Sequence, residues 1–313
     1  MITGSDVREA GERIAGWVRR TPVVEVEPDA FAPTAGTWLK LELLQHTGSF
    51  KARGAFNRVL AARESGNMPV AGVVTASGGN AGLAYAYAAA ATGARAEVFV
   101  PQTAPAVKVA RLCALGAHVV QVGTKYADAY EAAAKRAADT GALFGHAYDQ
   151  PEVCAGQGTI ALELLKQTDG DVDTVLVATG GGGLMAGLAA ALEGRVSVVA
   201  VEPRNAPTLY EALRAGAPVD VAVSGVAADA LGATRIGEIA FDVARRTGVE
   251  SVLVEDHDIV AVRRALWDKY RVVAEHSSAA AAAALSSGAY RPQRDERVAV
   301  LLCGANTDPS DLV

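Results

Sequence analysis

Thr174-Val175-Leu176-Val177-Ala178-Thr179-Gly180-Gly181-Gly182-Gly183-Leu184 holds a short apolar run, a turn with four glycines, and the opening of an apolar helix. An apolar run without polar alternation reads as a strand buried on both faces. The glycines free the backbone to turn tightly before the helix. Working outward, the same strand–turn–helix unit returns at residues 70–92, around Ser77-Gly78-Gly79-Asn80. Further strand candidates lie at 38–43, 97–100, 118–122, 196–201, 252–254 and 298–302. Helices are predicted at 51–65, 105–115, 125–139, 152–167, 184–193, 207–215, 236–247, 257–271 and 276–286. A first helix is predicted over 5–19, with Ser5 as its N-cap and Pro22 beyond its end. Strands alternating with helices predict an α/β fold, with parallel-rich sheets flanked by helices. The alanine run 279–284 reads as a tightly packed helix, since alanine is the best helix former.

Composition excludes several function classes. The chain has 313 residues, 50% of them hydrophobic, which is enough for a full core. With 29 Lys+Arg against 35 Asp+Glu and no basic block, it is no candidate for nucleic-acid binding. Cys113, Cys154 and Cys303 are odd in number and lack CxxC spacing, so a disulfide framework is not expected and a cytoplasmic setting is. The N-terminus shows no signal-peptide pattern, and the Ala-rich runs are broken by Gly, Thr, Ser or Tyr, so no membrane span is expected.

Three stretches carry chemistry. The first is Thr47-Gly48-Ser49-Phe50-Lys51-Ala52-Arg53, in which a lysine opens an apolar helix. Alone it reads as a solvated first-turn lysine. A cation at a helix N-terminus opposes the helix dipole, however, and that position together with burial lowers the amine's pKa. Such an amine is a nucleophile for carbonyls. Arg53 is expected to push the same way if the two side chains meet. The second stretch is Ser77-Gly78-Gly79-Asn80, a strand-to-helix turn that offers free N–H groups and side-chain donors to an anion. The third is the tetraglycine turn, a phosphate cup by the same logic. It also fits a dinucleotide fingerprint, with Gly181, Gly183 and Ala186 in register and Glu202 ending the next strand. A dehydrogenase would explain only that glycine run. A cofactor with an aldehyde and a phosphate, acting on an amino acid, needs an amine, a phosphate cup and a carboxylate cup together.

These stretches resemble the fold type II, tryptophan-synthase-β-like pyridoxal-phosphate enzymes, and within them the serine/threonine dehydratases and serine racemases. The likeness spans nearly the whole chain. It includes Lys40-Leu41-Glu42, Val100-Pro101-Gln102, Ala155-Gly156-Gln157-Gly158-Thr159 and Leu302-Cys303-Gly304-Ala305-Asn306. The resemblance implies that Lys51 carries pyridoxal 5'-phosphate covalently and acts as the catalytic base, with Phe50 against the cofactor ring. Asn80 would bond the ring hydroxyl, and Ser77, Gly78, Gly79 and Asn80 the substrate carboxylate. Gly180, Gly181, Gly182, Gly183 and Leu184 would cup the phosphate, and Tyr148 would line the substrate side and favour a small substrate. Cys303 would stand beside the pyridine nitrogen. A neutral thiol there weakens the electron sink and favours β-elimination over transamination.

The implied activity is dehydration of L-threonine or L-serine to a 2-oxo acid and ammonia, with serine racemase or a β-replacement synthase as the alternative. Gly78 stands where racemases carry a second serine hydroxyl, so little racemisation is expected. Relatives with a structural divalent cation use a Glu, a backbone carbonyl and an Asp. Glu202 and Ala206 match the first two, but Thr208 replaces the Asp, so no metal is assigned. His276 stands where relatives carry proline after the glutamate. The resemblance further implies a homodimer, a large cofactor-binding domain of 1–65 and 148–313, and a small inserted domain of 72–142, with the cofactor in the cleft between them. The chain stops soon after Asn306, which points away from an appended regulatory domain and toward a catabolic role. His46, His118 and His257 are expected to be solvated or capping residues.

Overall fold

The structure, a computed structural model, describes residues 1–27 and 29–312. In chain order the elements are α1 (Gly4–Arg13), β1 (Val23–Val26), β2 (Gly36–Lys40), α2 (Lys51–Glu64), β3 (Val73–Ala76), α3 (Asn80–Ala91), β4 (Ala96–Val100), α4 (Ala106–Ala114), β5 (His118–Gln121), α5 (Tyr126–Thr140), β6 (Leu143–Gly145) and α6 (Pro151–Gln167). They continue as β7 (Thr174–Ala178), α7 (Gly183–Leu192), β8 (Ser197–Pro203), α8 (Thr208–Ala215), α9 (Glu238–Thr247), β9 (Glu250–Val254), α10 (Asp256–Tyr270), α11 (His276–Ser286) and β10 (Arg297–Leu301).

Among the described residues the strands form two sheets. One has six strands in the order β1-β2-β10-β7-β8-β9, and the other four in the order β5-β4-β3-β6. All pairings are parallel except β1 with β2. The fold is therefore α/β, and its central strands are apolar because both faces are covered. In β7, Val175 and Val177 enter one core cluster while Leu176 and Ala178 enter the other. That is the alternation a pleated strand imposes. Residues 279–284 of α11 are fully buried alanines, and their small side chains let the helix lie close against β7, β8 and β10.

A buried ionic network fixes the start of α2. Arg53 is 1% exposed and donates through Nε and Nη2 to Glu42 at 2.9 and 2.6 Å, and through Nη1 to Glu163 at 2.8 Å. Lys40 Nζ donates to the other Glu163 oxygen at 2.8 Å and to Thr21 O and Gln167 Oε1. Charges removed from water are tolerated only when fully paired in this way. The network ties α2 to β2 and α6, and so sets the direction in which Lys51 leaves its helix.

Some expectations need correction. The first helix is capped by Thr3, in a reciprocal box with Asp6, rather than by Ser5. It ends at Arg13 instead of reaching 19, because the chain turns at Gly16 with φ +80°. The strands β1 and β6 were not anticipated. His46 is neither solvated nor a cap: it is half-buried and stacks on Tyr87 at 4.8 Å. His118 and His257 are exposed beside Glu97 and Asp258.

Candidate active site

Lys51 is the first residue of α2, and its Nζ donates to Ala147 O at 2.7 Å. Phe50 lies beside it, with the ring centroid 4.8 Å from Nζ. Burial brings the amine down to about 8, against the partial support of Cys303, Cys154 and Glu275. Arg53 takes no part in this, contrary to the expectation, because its guanidinium is turned into the pairs with Glu42 and Glu163. The loop before Lys51 runs along the end of β10. Ser49 bridges Gly304, and Phe50 N donates to Cys303 O at 3.0 Å. Burial pushes the Cys303 thiol up to about 12, with Glu275 adding to the effect, so the sulfur stays protonated and uncharged.

Ser77, Gly78 and Gly79 form the turn from β3 into α3, and Gly79 N donates to Ser77 Oγ at 3.2 Å. Asn80 opens α3 and is held at both ends of its amide. Its Nδ2 donates to the two carboxylate oxygens of Glu275 at 3.0 and 3.1 Å, and its Oδ1 accepts from Asn306 Nδ2 at 2.7 Å. Asn306 Nδ2 also donates to Thr47 O at 2.7 Å, which links the asparagine turn to the lysine loop. Glu275 further accepts from Asn306 N and Ser277 Oγ, at 2.8 and 2.9 Å. Nothing local in the sequence assigns work to Glu275 or Asn306, since their partners are remote in the chain. His276 is the first residue of α11, a position that also accepts proline, which accounts for the exchange seen there. A cavity of about 470 Å³ opens on this side, lined by Glu275, Asn306, α4 residues and the 226–230 segment. Lys108 Nζ pairs with Asp229 across it at 2.5 Å.

The tetraglycine turn stands opposite, packed against the segment that holds the amine. A Cβ at Gly181 would lie 2.4 Å from the Tyr148 ring, and one at Gly183 would lie 2.4 Å from Tyr148 O. Gly182 has φ +84°, and a Cβ there would meet Ala240 Cβ at 2.5 Å. Among the described residues, the backbone N–H groups of Gly180, Gly181, Gly182, Gly183 and Leu184 find no protein acceptor. They sit at the N-terminus of α7, where free donors and the helix dipole suit an anion. Glu202, the acid that a dinucleotide site would place on a ribose, is spent elsewhere. It is fully buried and accepts from Leu209 N and Tyr210 N at 2.8 Å and from Ser251 Oγ at 2.6 Å, with Thr208 Oγ1 at 3.0 Å. Those bonds cap the start of α8.

A half-buried, weakly basic amine, a glycine turn packed so closely on Leu231, Tyr148, Ala240 and Ile236 that it has no room for a Cβ and leaves its N–H groups free, and a neutral thiol fit the aldehyde, phosphate and ring of pyridoxal phosphate. Comparison with known proteins agrees. The family described as pyridoxal-phosphate dependent enzyme matches residues 14–304. L-threonine ammonia-lyase of Thermotoga maritima is 34% identical over 98% of this chain and 76% of its own length. Phenylserine dehydratase of Ralstonia pickettii is 36% identical over 95% of this chain and 90% of its own. The solved structure of maize serine racemase superposes with a TM-score of 0.92 at 30% identity, covering 99% of this chain and 95% of that one.

Proposed function

The chain belongs to the pyridoxal-phosphate-dependent enzyme family, and on that premise we propose that it is an ammonia-lyase, a dehydratase that converts L-threonine and L-serine to 2-oxo acids and ammonia. The observation that carries this reading is the Lys51 amine, desolvated, brought down to about 8 and held at Ala147 O beside the tetraglycine turn. When bound, pyridoxal phosphate supplies an aldehyde for covalent attachment and a ring that takes up the electron pair left at Cα.

The residues divide the remaining work. Gly180, Gly181, Gly182, Gly183 and Leu184 turn their free N–H groups to the phosphate. Phe50 would pack on the ring, and Asn80, fixed by Glu275 and Asn306, would address its hydroxyl. Cys303, an uncharged thiol, would face the ring nitrogen, where the absence of a carboxylate would leave the ring without a fixed positive charge. Ser77, Gly78, Gly79 and Asn80 bind the substrate carboxylate. Tyr148 lines the substrate side. Lys51 takes the Cα proton, and its low pKa leaves much of it neutral near pH 8. Gly78 has no hydroxyl to serve the other face of Cα, which favours elimination over racemisation.

The proposal places this site between a large unit of 1–65 and 148–313 and a small one of 72–142. It is supported by a four-stranded sheet drawn from β3 to β6 and a six-stranded sheet drawn from the flanks. A cytoplasmic homodimer completes the reading. All three cysteines are free, and no helix among the described residues is long and apolar enough to cross a membrane.

Assaying 2-oxo acid and D-serine from L-threonine and L-serine tests the reading. The cofactor-loaded protein is expected to release oxo acid with little D-serine, and Lys51→Ala to lose at least about 10³-fold in rate. A Lys51→Ala variant that keeps its rate would sink the assignment.

A further inference from the structure

The tetraglycine turn is held through its carbonyls. A peptide unit is planar and trans, so its C=O and N–H point to opposite sides. Fixing the carbonyl of one glycine therefore aims the N–H of the next. Gly182 O accepts from Ala186 N at 2.8 Å, inside the first turn of α7. Gly181 O accepts from Gly237 N at 3.1 Å. Both of these anchors are backbone groups, present whatever the side chains are. Gly180 O depends on a side chain instead: Thr208 Oγ1 donates to it at 2.6 Å. That bond turns the Gly181 N–H away from Thr208. Among the described residues this N–H meets no protein acceptor.

The hydroxyl that makes this bond is itself fixed. Thr208 opens α8 and is fully buried. Its Oγ1 also stands 3.0 Å from Glu202 Oε1, so one proton is shared between a carbonyl and a carboxyl oxygen. Leu209 N, Tyr210 N and Ser251 Oγ occupy the other lone pairs of Glu202. Ala206 O accepts from Thr208 N at 3.1 Å. A divalent cation needs free oxygen lone pairs and more than one charged ligand. Here the carboxyl group is already supplied with donors, and Thr208 brings a neutral hydroxyl with its own proton. Glu202, Ala206 and Thr208 therefore do not fit a cation. Among the described residues no group of three His, Cys, Asp or Glu side chains could hold one either.

We propose that Thr208 is a positioning residue for the cofactor phosphate: its hydroxyl links Glu202 to the Gly180 carbonyl and so holds the Gly181 N–H in its binding direction, without help from a divalent cation. This deepens the ammonia-lyase reading and rests on its assignment of the tetraglycine turn to phosphate. Thr208 touches no reacting atom. It acts through the peptide between Gly180 and Gly181, where two glycines leave the backbone free to rotate unless something ties it. The Gly180 residue is buried, so an aliphatic side chain at 208 would leave its carbonyl without a donor and without water.

The test titrates the full chain, freed of cofactor, with pyridoxal 5'-phosphate and with pyridoxal, which has the aldehyde and the ring but no phosphate. Loading is read by absorbance. The parent is expected to prefer the phosphorylated compound by at least about a hundredfold. Thr208→Val and Thr208→Ala both remove the hydroxyl. They should bind pyridoxal 5'-phosphate about tenfold more weakly, and pyridoxal within about twofold of the parent. Thr208→Ser should keep the parent's preference. EDTA, and Mg2+ or Ca2+ added back, should leave the parent's affinity unchanged. A preference that survives in both hydroxyl-free variants, or that falls as far in Thr208→Ser, overturns the role of Thr208 and leaves the phosphate turn standing. Equal losses for the two compounds would mark a merely structural residue and overturn it as well. So would an affinity that falls in EDTA and returns with the cation. If the parent loads both compounds equally, the phosphate turn fails and the role of Thr208 with it. Oxo-acid release from threonine and serine judges the lyase reading separately.

Discussion

The two glycine turns of this site resemble each other in sequence and differ in what surrounds them. At residues 180–183 a side chain has nowhere to go, because Leu231, Tyr148, Ala240 and Ile236 already occupy the space. At Gly78 a Cβ would meet only Val100 Cγ1, at an ordinary 3.5 Å, and at Gly79 it would meet nothing within 4 Å. One turn is glycine because the protein is packed behind it. The other is glycine where the protein leaves room. A cradle pressed against its own fold suits a group that stays in place, as the proposed phosphate does. A turn with space in front suits a ligand that comes and goes. Glycine runs therefore have two physical meanings, and only the neighbours separate them.

The largest expected effect concerns the amine beside the packed turn. If burial is what lowers Lys51 to about 8, the neutral fraction falls about tenfold for each pH unit below that value. Covalent loading of pyridoxal phosphate onto cofactor-free protein, followed by absorbance, should then accelerate from pH 6 to about 8 and level off above. The folded lysine loses its proton before the unfolded one does, so the cofactor-free protein should gain stability as pH rises from about 8 toward roughly 10.4. A loading rate that is flat from pH 6 to 8 would mean that water reaches the amine.

Next in size is Gly182→Ala. It must hold φ +84° with a Cβ 2.5 Å from that of Ala240, at a cost of about 1–3 kcal/mol. A lower melting temperature and weaker cofactor retention are expected. The smallest stability effect belongs to Gly78→Ser, which should melt within about 0.5 kcal/mol of the parent. Its new hydroxyl is expected to raise D-serine formation from L-serine, read by chiral chromatography. The contrast between the turns fails if Gly78→Ser proves as destabilising as Gly182→Ala.

Much of the fold was legible because its signals are local. Apolar strands such as β7 and β10, each followed or preceded by an Ala-rich helix, declare their period within a dozen residues. The edge strand β1 was not legible: it is only four residues long, and Val24 and Glu25 at its centre are both exposed. Strand β6 has three residues and no pattern to find. In the site, Glu275 was seen but not understood, since the Asn80 it clamps lies 195 residues away.

From its residues alone this chain determined an alternating α/β architecture, a lysine opening a helix and two anion-ready turns. Each of these follows from backbone rules that act over a few neighbours. Tertiary structure alone decided that Arg53 faces Glu42 and not Lys51, that Glu202 caps α8 and not a ligand, and that the Thr208 hydroxyl meets the Gly180 carbonyl. The physical reason is that charge pairing and burial depend on which distant segments meet, and no local pattern records that.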